Sequence, residues 1–151
     1  MIKILCVGKI KEKYLKDAID EYQKRISKYT KLEIIEVEDI FEQNINNIKK
    51  KESENLKKYI SDKDYVITME INWKQLDSVE FSKKINDTLI INSNITFIIG
   101  GSYGIDEELL KRSNYSLSFS KLTFPHQLFR VILLEQVYRS YKIINNESYH
   151  K

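Results

Sequence analysis

Ile95-Thr-Phe-Ile-Ile-Gly100-Gly-Ser-Tyr-Gly104 is a short run of branched and aromatic residues that stops at a cluster of glycines. A run of this length, rich in β-branched side chains and closed by a turn signal, reads as a buried β-strand. On its C-terminal side the spacing predicts a short helix, Asp106 to Arg112, and an alternating strand, Tyr115-Ser-Leu-Ser-Phe119. Lys121–His126 reads as a loop, and Gln127 to about Ile144 as the longest apolar helix. On its N-terminal side lie strand-like Ile2–Val7, Leu32–Val37 and Tyr65–Met69. Between them, Tyr14, Leu15, Ala18, Ile19, Tyr22 and Ile26 recur at helical spacing, and a thinner apolar stripe marks a helix from about Asn44 to Ile60. Ser78 is positioned to cap a helix carrying Phe81, Ile85 and Leu89. Strands alternating with helices predict an α/β domain, 1–151, with a mainly parallel sheet and helices on both faces.

Composition bounds the possibilities. The chain has 151 residues, 42% hydrophobic and 31% charged, the balance of a soluble globule. No apolar run nears the ~18 residues that a membrane helix needs. Ile2–Val7 is too short for a signal-peptide core, so the expected location is cytoplasmic. Cys6 is the only cysteine, which excludes an intrachain disulfide and leaves it as a small core residue. The formal net charge of +3 tolerates an RNA partner without requiring one.

Ligands on parallel sheets bind beyond the carboxyl ends of the strands, here Gly8, Glu70, Gly100 and Ser120. Three of the four glycines cluster after the Ile95–Ile99 strand, where they permit positive φ and bare-backbone contact with a ligand. A plain tight turn fits them equally well. No Gly-x-Gly turn follows the first strand and no Gly-Lys-Ser/Thr follows any, so neither dinucleotide nor P-loop chemistry is supported. His126 and His150, the only histidines, lack metal-ligand spacing, and no metal is expected.

Three further features stand out. Leu117-Ser-Phe-Ser-Lys-Leu-Thr-Phe-Pro-His126 joins strand to helix, with Pro125 suited to a first helical turn and Thr123 a candidate cap. The helix after it has almost no wet face, so it is either central or buried on another subunit. On it Glu135 and Arg139 form an i, i+4 pair, structural or catalytic, and Arg130 shares a face with His126. The tail, Tyr149-His-Lys151, reads as terminal fray on its own.

Taken together, Ile98-Ile-Gly-Gly-Ser-Tyr-Gly104, Leu117 to Gln127, Arg130 with Glu135-Gln-Val-Tyr-Arg139, and Tyr149-His-Lys151 resemble one family over essentially the whole chain. It is the small SPOUT-class methyltransferases that modify N3 of a pseudouridine in 23S ribosomal RNA. The resemblance implies a C-terminal trefoil knot and a homodimer. It implies S-adenosylmethionine held at Met69, Gly100, Phe119, Ser120, Lys121, Leu122, Thr123 and Phe124. It also suggests that the tail reaches an active site, in its own chain or across the dimer. Near Glu70-Ile-Asn-Trp73-Lys74 the family usually carries glycine where Trp73 stands, so the turn beside Met69 departs from the pattern.

An imide N3 must lose its proton to become a good nucleophile, so the reaction needs a general base. His150 is the first candidate and His126 the second, with the Tyr149 phenol beside them. Arg130, Arg139 and Lys151 are the candidates for binding phosphates or stabilising an anionic base, and Glu135 joins them as a substrate-binding candidate. The rival readings are a non-catalytic ribosome- or RNA-binding protein on the same fold, and a transfer RNA methyltransferase.

Overall fold

The computed structural model describes all 151 residues. Five strands and five helices follow one another as β1 (Ile2–Val7), α1 (Lys13–Ile26), β2 (Leu32–Val37), α2 (Ile45–Lys57), β3 (Asp64–Met69), α3 (Ser78–Ile91), β4 (Asn94–Ile99), α4 (Glu107–Arg112), β5 (Tyr115–Leu117) and α5 (His126–Ile144). The strands form one sheet in the order β2-β1-β4-β3-β5, and every pairing is parallel.

Successive side chains of a strand point to opposite faces, so a strand covered on both sides must be apolar throughout. All six residues of β1 are buried. Ile2, Ile4 and Cys6 enter one core with residues of α1, α3 and α5, whereas Leu5 and Val7 enter a second core with Leu56 of α2 and Leu109 of α4. The helix with almost no wet face is accordingly central: α5 packs against both α1 and α3. Cys6 is fully buried, and burial raises its thiol pKa to about 11. It is an inert core residue, as expected.

The amino ends of the strands are held by a buried polar cluster. Lys3 Nζ donates to Asp64 at 3.2 Å and to the Tyr59 carbonyl at 2.7 Å. Asp64 also accepts from Ser61 N, Asn94 Nδ2 and Thr96 Oγ1. Burial pushes the Asp64 carboxyl up, but the hydrogen bonds from Ser61, Asn94 and Lys3 outweigh it and hold the group below its ordinary value. The opposite end of the sheet is left to loops.

Three local expectations change. Asp77, not Ser78, caps α3; its carboxylate accepts from Glu80 N at 2.7 Å while Glu80 reaches back to Asp77 N at 2.8 Å, a complete capping box. Thr123 caps nothing. Pro125 occupies the N-cap of α5, where a missing N–H costs no hydrogen bond. β5 is shorter than its alternating pattern, because Ser118 leaves the strand ladder to bridge to Gln75.

Candidate active site

The loops at the carboxyl ends of β3, β4 and β5 enclose a recess of about 780 Å³, open mouth included. Met69, Glu70 and Ile71 come from the end of β3. Ile99, Gly100, Gly101, Ser102, Gly104 and Ile105 come from the end of β4 and its turn. Phe119, Ser120, Leu122, Thr123 and Phe124 follow β5, and His126 and Phe129 come from α5.

Each wall has a local cause. The β4 strand ends in a turn closed by Gly104 N donating to Gly101 O at 3.0 Å, with Gly104 at φ +86°, a conformation that side chains disfavour. At Gly100 a Cβ would stand 2.8 Å from Ile105 Cγ1 and 3.0 Å from the backbone of Gly104, so only glycine lets this turn close. The β3 and β5 loops are tied together by buried Ser118. Its amide donates to Lys74 O at 3.0 Å, and its hydroxyl lies 2.6 Å from Ile71 O and 2.9 Å from Ser120 O. Trp73 therefore does not disrupt the turn after Met69; it stands 62% exposed, outside the recess wall. Phe129 packs on Phe119 at 5.3 Å and Phe124 at 6.2 Å between centroids, which makes the third wall aromatic.

Two titratable groups line this mainly apolar recess. Glu70 has one carboxylate oxygen buried without a hydrogen-bond partner, and burial raises its pKa while Lys49 opposes. A buried, unpartnered acceptor is costly unless something donates to it. His126 is half-buried at the start of α5. Burial, then the nearby Arg130 charge, lowers its pKa from 6.5, with Asp39 acting the other way. Its imidazole is therefore neutral at neutral pH and able to accept a proton.

The recess brings together Met69, Gly100, Phe119, Ser120, Leu122, Thr123, Phe124 and His126 from the expected residues. Lys121 is exposed and does not line it. Arg130 is a correction: it is 1% exposed and has no surface to offer a phosphate. Its guanidinium instead bonds Val7 O at 2.7 Å, Gly8 O at 2.6 Å and Glu36 at 2.6 Å, bracing α5 under the end of β1.

Glu135, Arg139, Tyr149 and His150 gather elsewhere. Glu135 accepts from Arg139 at 2.5 Å and from the Tyr149 hydroxyl at 3.0 Å. Arg139 lies 3.1 Å from His150 Nδ1, and Tyr149 packs edge-on against Tyr138 at 5.0 Å. The tail is thus fastened to α5 and is no loose end. Arg139 lies thirteen residues along α5 from His126, which at 1.5 Å per residue is about 20 Å. Lys151 is exposed at the terminus. The Tyr149 phenol is raised to about 12 by burial and by its bond to Glu135, so it is a donor and not a base near neutral pH.

Glu70 was legible as a strand-end residue, yet nothing in its spacing marked it as a wall of the site. Gly101, Ser102 and Gly104 were visible only as parts of the turn.

A family model described as "Predicted SPOUT methyltransferase" matches residues 1–150. The chain belongs to the SPOUT methyltransferase family. Ribosomal RNA large subunit methyltransferase H of Clostridium botulinum (strain Alaska E43 / Type E3) is 55% identical, with 99% of each chain covered. The protein of the same name from Clostridium tetani is 54% identical over the same shares. Among solved structures, a probable methylase family protein from Haemophilus influenzae Rd KW20 superposes with a TM-score of 0.59 at 14% identity, covering 99% of this chain and 70% of that one. That likeness is one of fold. The parallel α/β sheet thus belongs to a SPOUT fold. The fold brings together no group of three or more His, Cys, Asp or Glu side chains of the kind that holds a metal ion, and no helix is long and apolar enough to cross a membrane.

Proposed function

We propose that this chain transfers a methyl group from S-adenosylmethionine to N3 of a pseudouridine in large-subunit ribosomal RNA, working in the cytoplasm as a homodimer on the assembled ribosome. The observation that carries the reading is the recess walled by the Gly100–Gly104 turn and the Phe119–Phe124 loop in a SPOUT chain. The names of its full-length relatives support ribosomal RNA as the substrate.

The recess suits the cofactor. Its apolar and aromatic walls match an adenine ring and a thioether chain, and backbone groups of the glycine turn lie open to a ligand. The orphaned oxygen of Glu70 is placed to accept from a ribose hydroxyl or an ammonium group. The sulfonium supplies an already activated methyl, so the protein's tasks are orientation and proton removal.

His126 holds a neutral imidazole at the recess and is the base available within one chain. The tail serves a different recess. At about 20 Å along α5 it lies beyond reach of its own cofactor loops, so it completes the site of a second copy, to which it presents His150, the Tyr149 phenol and Lys151. Arg139 and Lys151 meet phosphates there, while Glu135 holds Arg139 and Tyr149 in place. The direct test is mass spectrometry of ribosomal RNA from a strain lacking the gene. A missing methyl on a large-subunit pseudouridine supports the reading. An unchanged ribosomal RNA with an undermethylated transfer RNA favours the transfer RNA enzyme, and no change in either favours a non-catalytic binder.

A further inference from the structure

The Gly100–Gly104 turn has two sides. One side lines the cofactor recess; at its tip, Ser102 and Tyr103 line a second recess of about 590 Å³, mouth included. The opposite wall is the loop after β2, which carries Phe41, and the floor is Ile48 and Glu52 of α2. Phe41 is 92% exposed and Tyr103 52% exposed. Neither ring contributes to a core, and singly exposed apolar residues need no explanation. Two aromatic rings on one recess that shares Ser102 with the cofactor recess do need one.

The two loops are pinned to each other through α2. Ile40 N donates to Glu52 Oε2 at 3.2 Å, and Asp106 N donates to Ser53 Oγ at 3.2 Å. Glu52 is 4% exposed, and its other oxygen has no partner. A Cβ on Gly101 would stand 2.8 Å from that oxygen, so the carboxyl presses directly on the turn's backbone. Burying a carboxyl in this way is expensive, and burial raises its pKa. The packing fixes the spacing between the Phe41 loop and the Tyr103 turn. On the same helix Lys51 is paired with Glu42 at the wall of this recess at 2.6 Å.

We propose that the recess between Phe41 and Tyr103 receives one unstacked base of the RNA substrate, a neighbour of the methylated nucleotide, and that Glu52 acts as a positioning residue for the two loops. The proposal rests on the RNA methyltransferase reading above. Because the turn separates the two recesses, the base held here is not the one that meets the methyl group. Every base has a flat π-face, so aromatic stacking grips it without reading its sequence.

The test uses the full-length protein and purified ribosomes, measured first for equilibrium binding and then for methyl transfer. Phe41→Ala and Phe41→Leu should each weaken ribosome binding and raise the KM for ribosomes by about 5- to 150-fold, the range for loss of one stacked base. Phe41→Tyr should restore wild-type behaviour. In all three, kcat at saturating ribosomes, S-adenosylmethionine affinity, dimer mass and unfolding midpoint should stay unchanged. Glu52→Ala should raise the same KM, and Glu52→Gln should largely rescue it. Wild-type binding by Phe41→Leu would overturn the stacked base in favour of an apolar protein contact. A changed dimer mass would assign the recess to the second copy, and no effect of Phe41→Ala would remove any role. The Leu-against-Tyr comparison in binding stands even if the wild type transfers no methyl, which would sink the enzymatic reading alone. A wild type that neither binds nor methylates ribosomes overturns both.

Discussion

Arg130 and His126 sit one helical turn apart at the start of α5, and their surroundings assign them opposite roles. Arg130 bonds Val7 O, Gly8 O and Glu36 while 1% exposed. Removing one partner of a buried ionic cluster typically costs about 3–5 kcal/mol. Arg130→Ala should therefore lower unfolding stability by about that amount in urea titration. An Arg130→Ala protein of unchanged stability with weakened, salt-dependent ribosome binding would return this residue to the RNA. His126 behaves differently. Its folded pKa lies below 6.5 because burial and then the Arg130 charge disfavour the imidazolium. Between that pKa and 6.5 the folded chain binds fewer protons than the unfolded one, so the stabilisation from the neutral ring is present above about 6.5 and fades as pH falls through the window. The same shift keeps the base form available, so the acid limb of kcat/KM should fall below pH 6.5 and vanish in His126→Asn. A limb that survives that substitution would move the proton acceptor to His150.

At the scale of elements, α5 places the cofactor loops at one end and the Glu135, Arg139, Tyr149, His150 cluster at the other. If the tail completes the site of a second copy, two defective chains should repair one another. Gly100→Val should lose cofactor binding, since its side chain meets Ile105 and the Gly104 backbone. A chain lacking Tyr149 to Lys151 should keep it. Each alone should be inactive. After mixing and subunit exchange, half of the dimers are heterodimers with one intact composite site, so about a quarter of wild-type activity should return. Sedimentation of each variant as a dimer is the control. No recovery from mixed, exchanging dimers would place the tail's action within its own chain. The cap of α3 shows how element boundaries escape reading. Ser78 and Asp77 are both capping types, but Glu80 stands three residues after Asp77, the spacing of a capping box. That spacing was present in the sequence and decides for Asp77.

For the whole molecule, the inner strands were legible because a parallel sheet covered on both faces demands continuous apolar runs such as Ile2–Val7, and the edge strands β2 and β5 because polar residues interrupt theirs in a strand-like pattern. The order β2-β1-β4-β3-β5 was not, because the apolar pattern of a strand says which face is buried and not which neighbour it pairs with. The same limit applies to the site. Gly100 and the Phe119–Phe124 loop stood out as local patterns, whereas the burial of Arg130 depends on β1, more than a hundred residues earlier. Glu52 and Phe41 share a recess with Tyr103 only through the packing of α2. What the assembled molecule does is tested most directly by one measurement: incubating the purified chain with unmodified ribosomes and isotopically labelled S-adenosylmethionine, then locating the label by nucleoside mass spectrometry. One labelled methyl on N3 of a pseudouridine in the large-subunit RNA, lost with Gly100→Val, is the predicted result. Label on another nucleoside, on transfer RNA, or on nothing at all would contradict it.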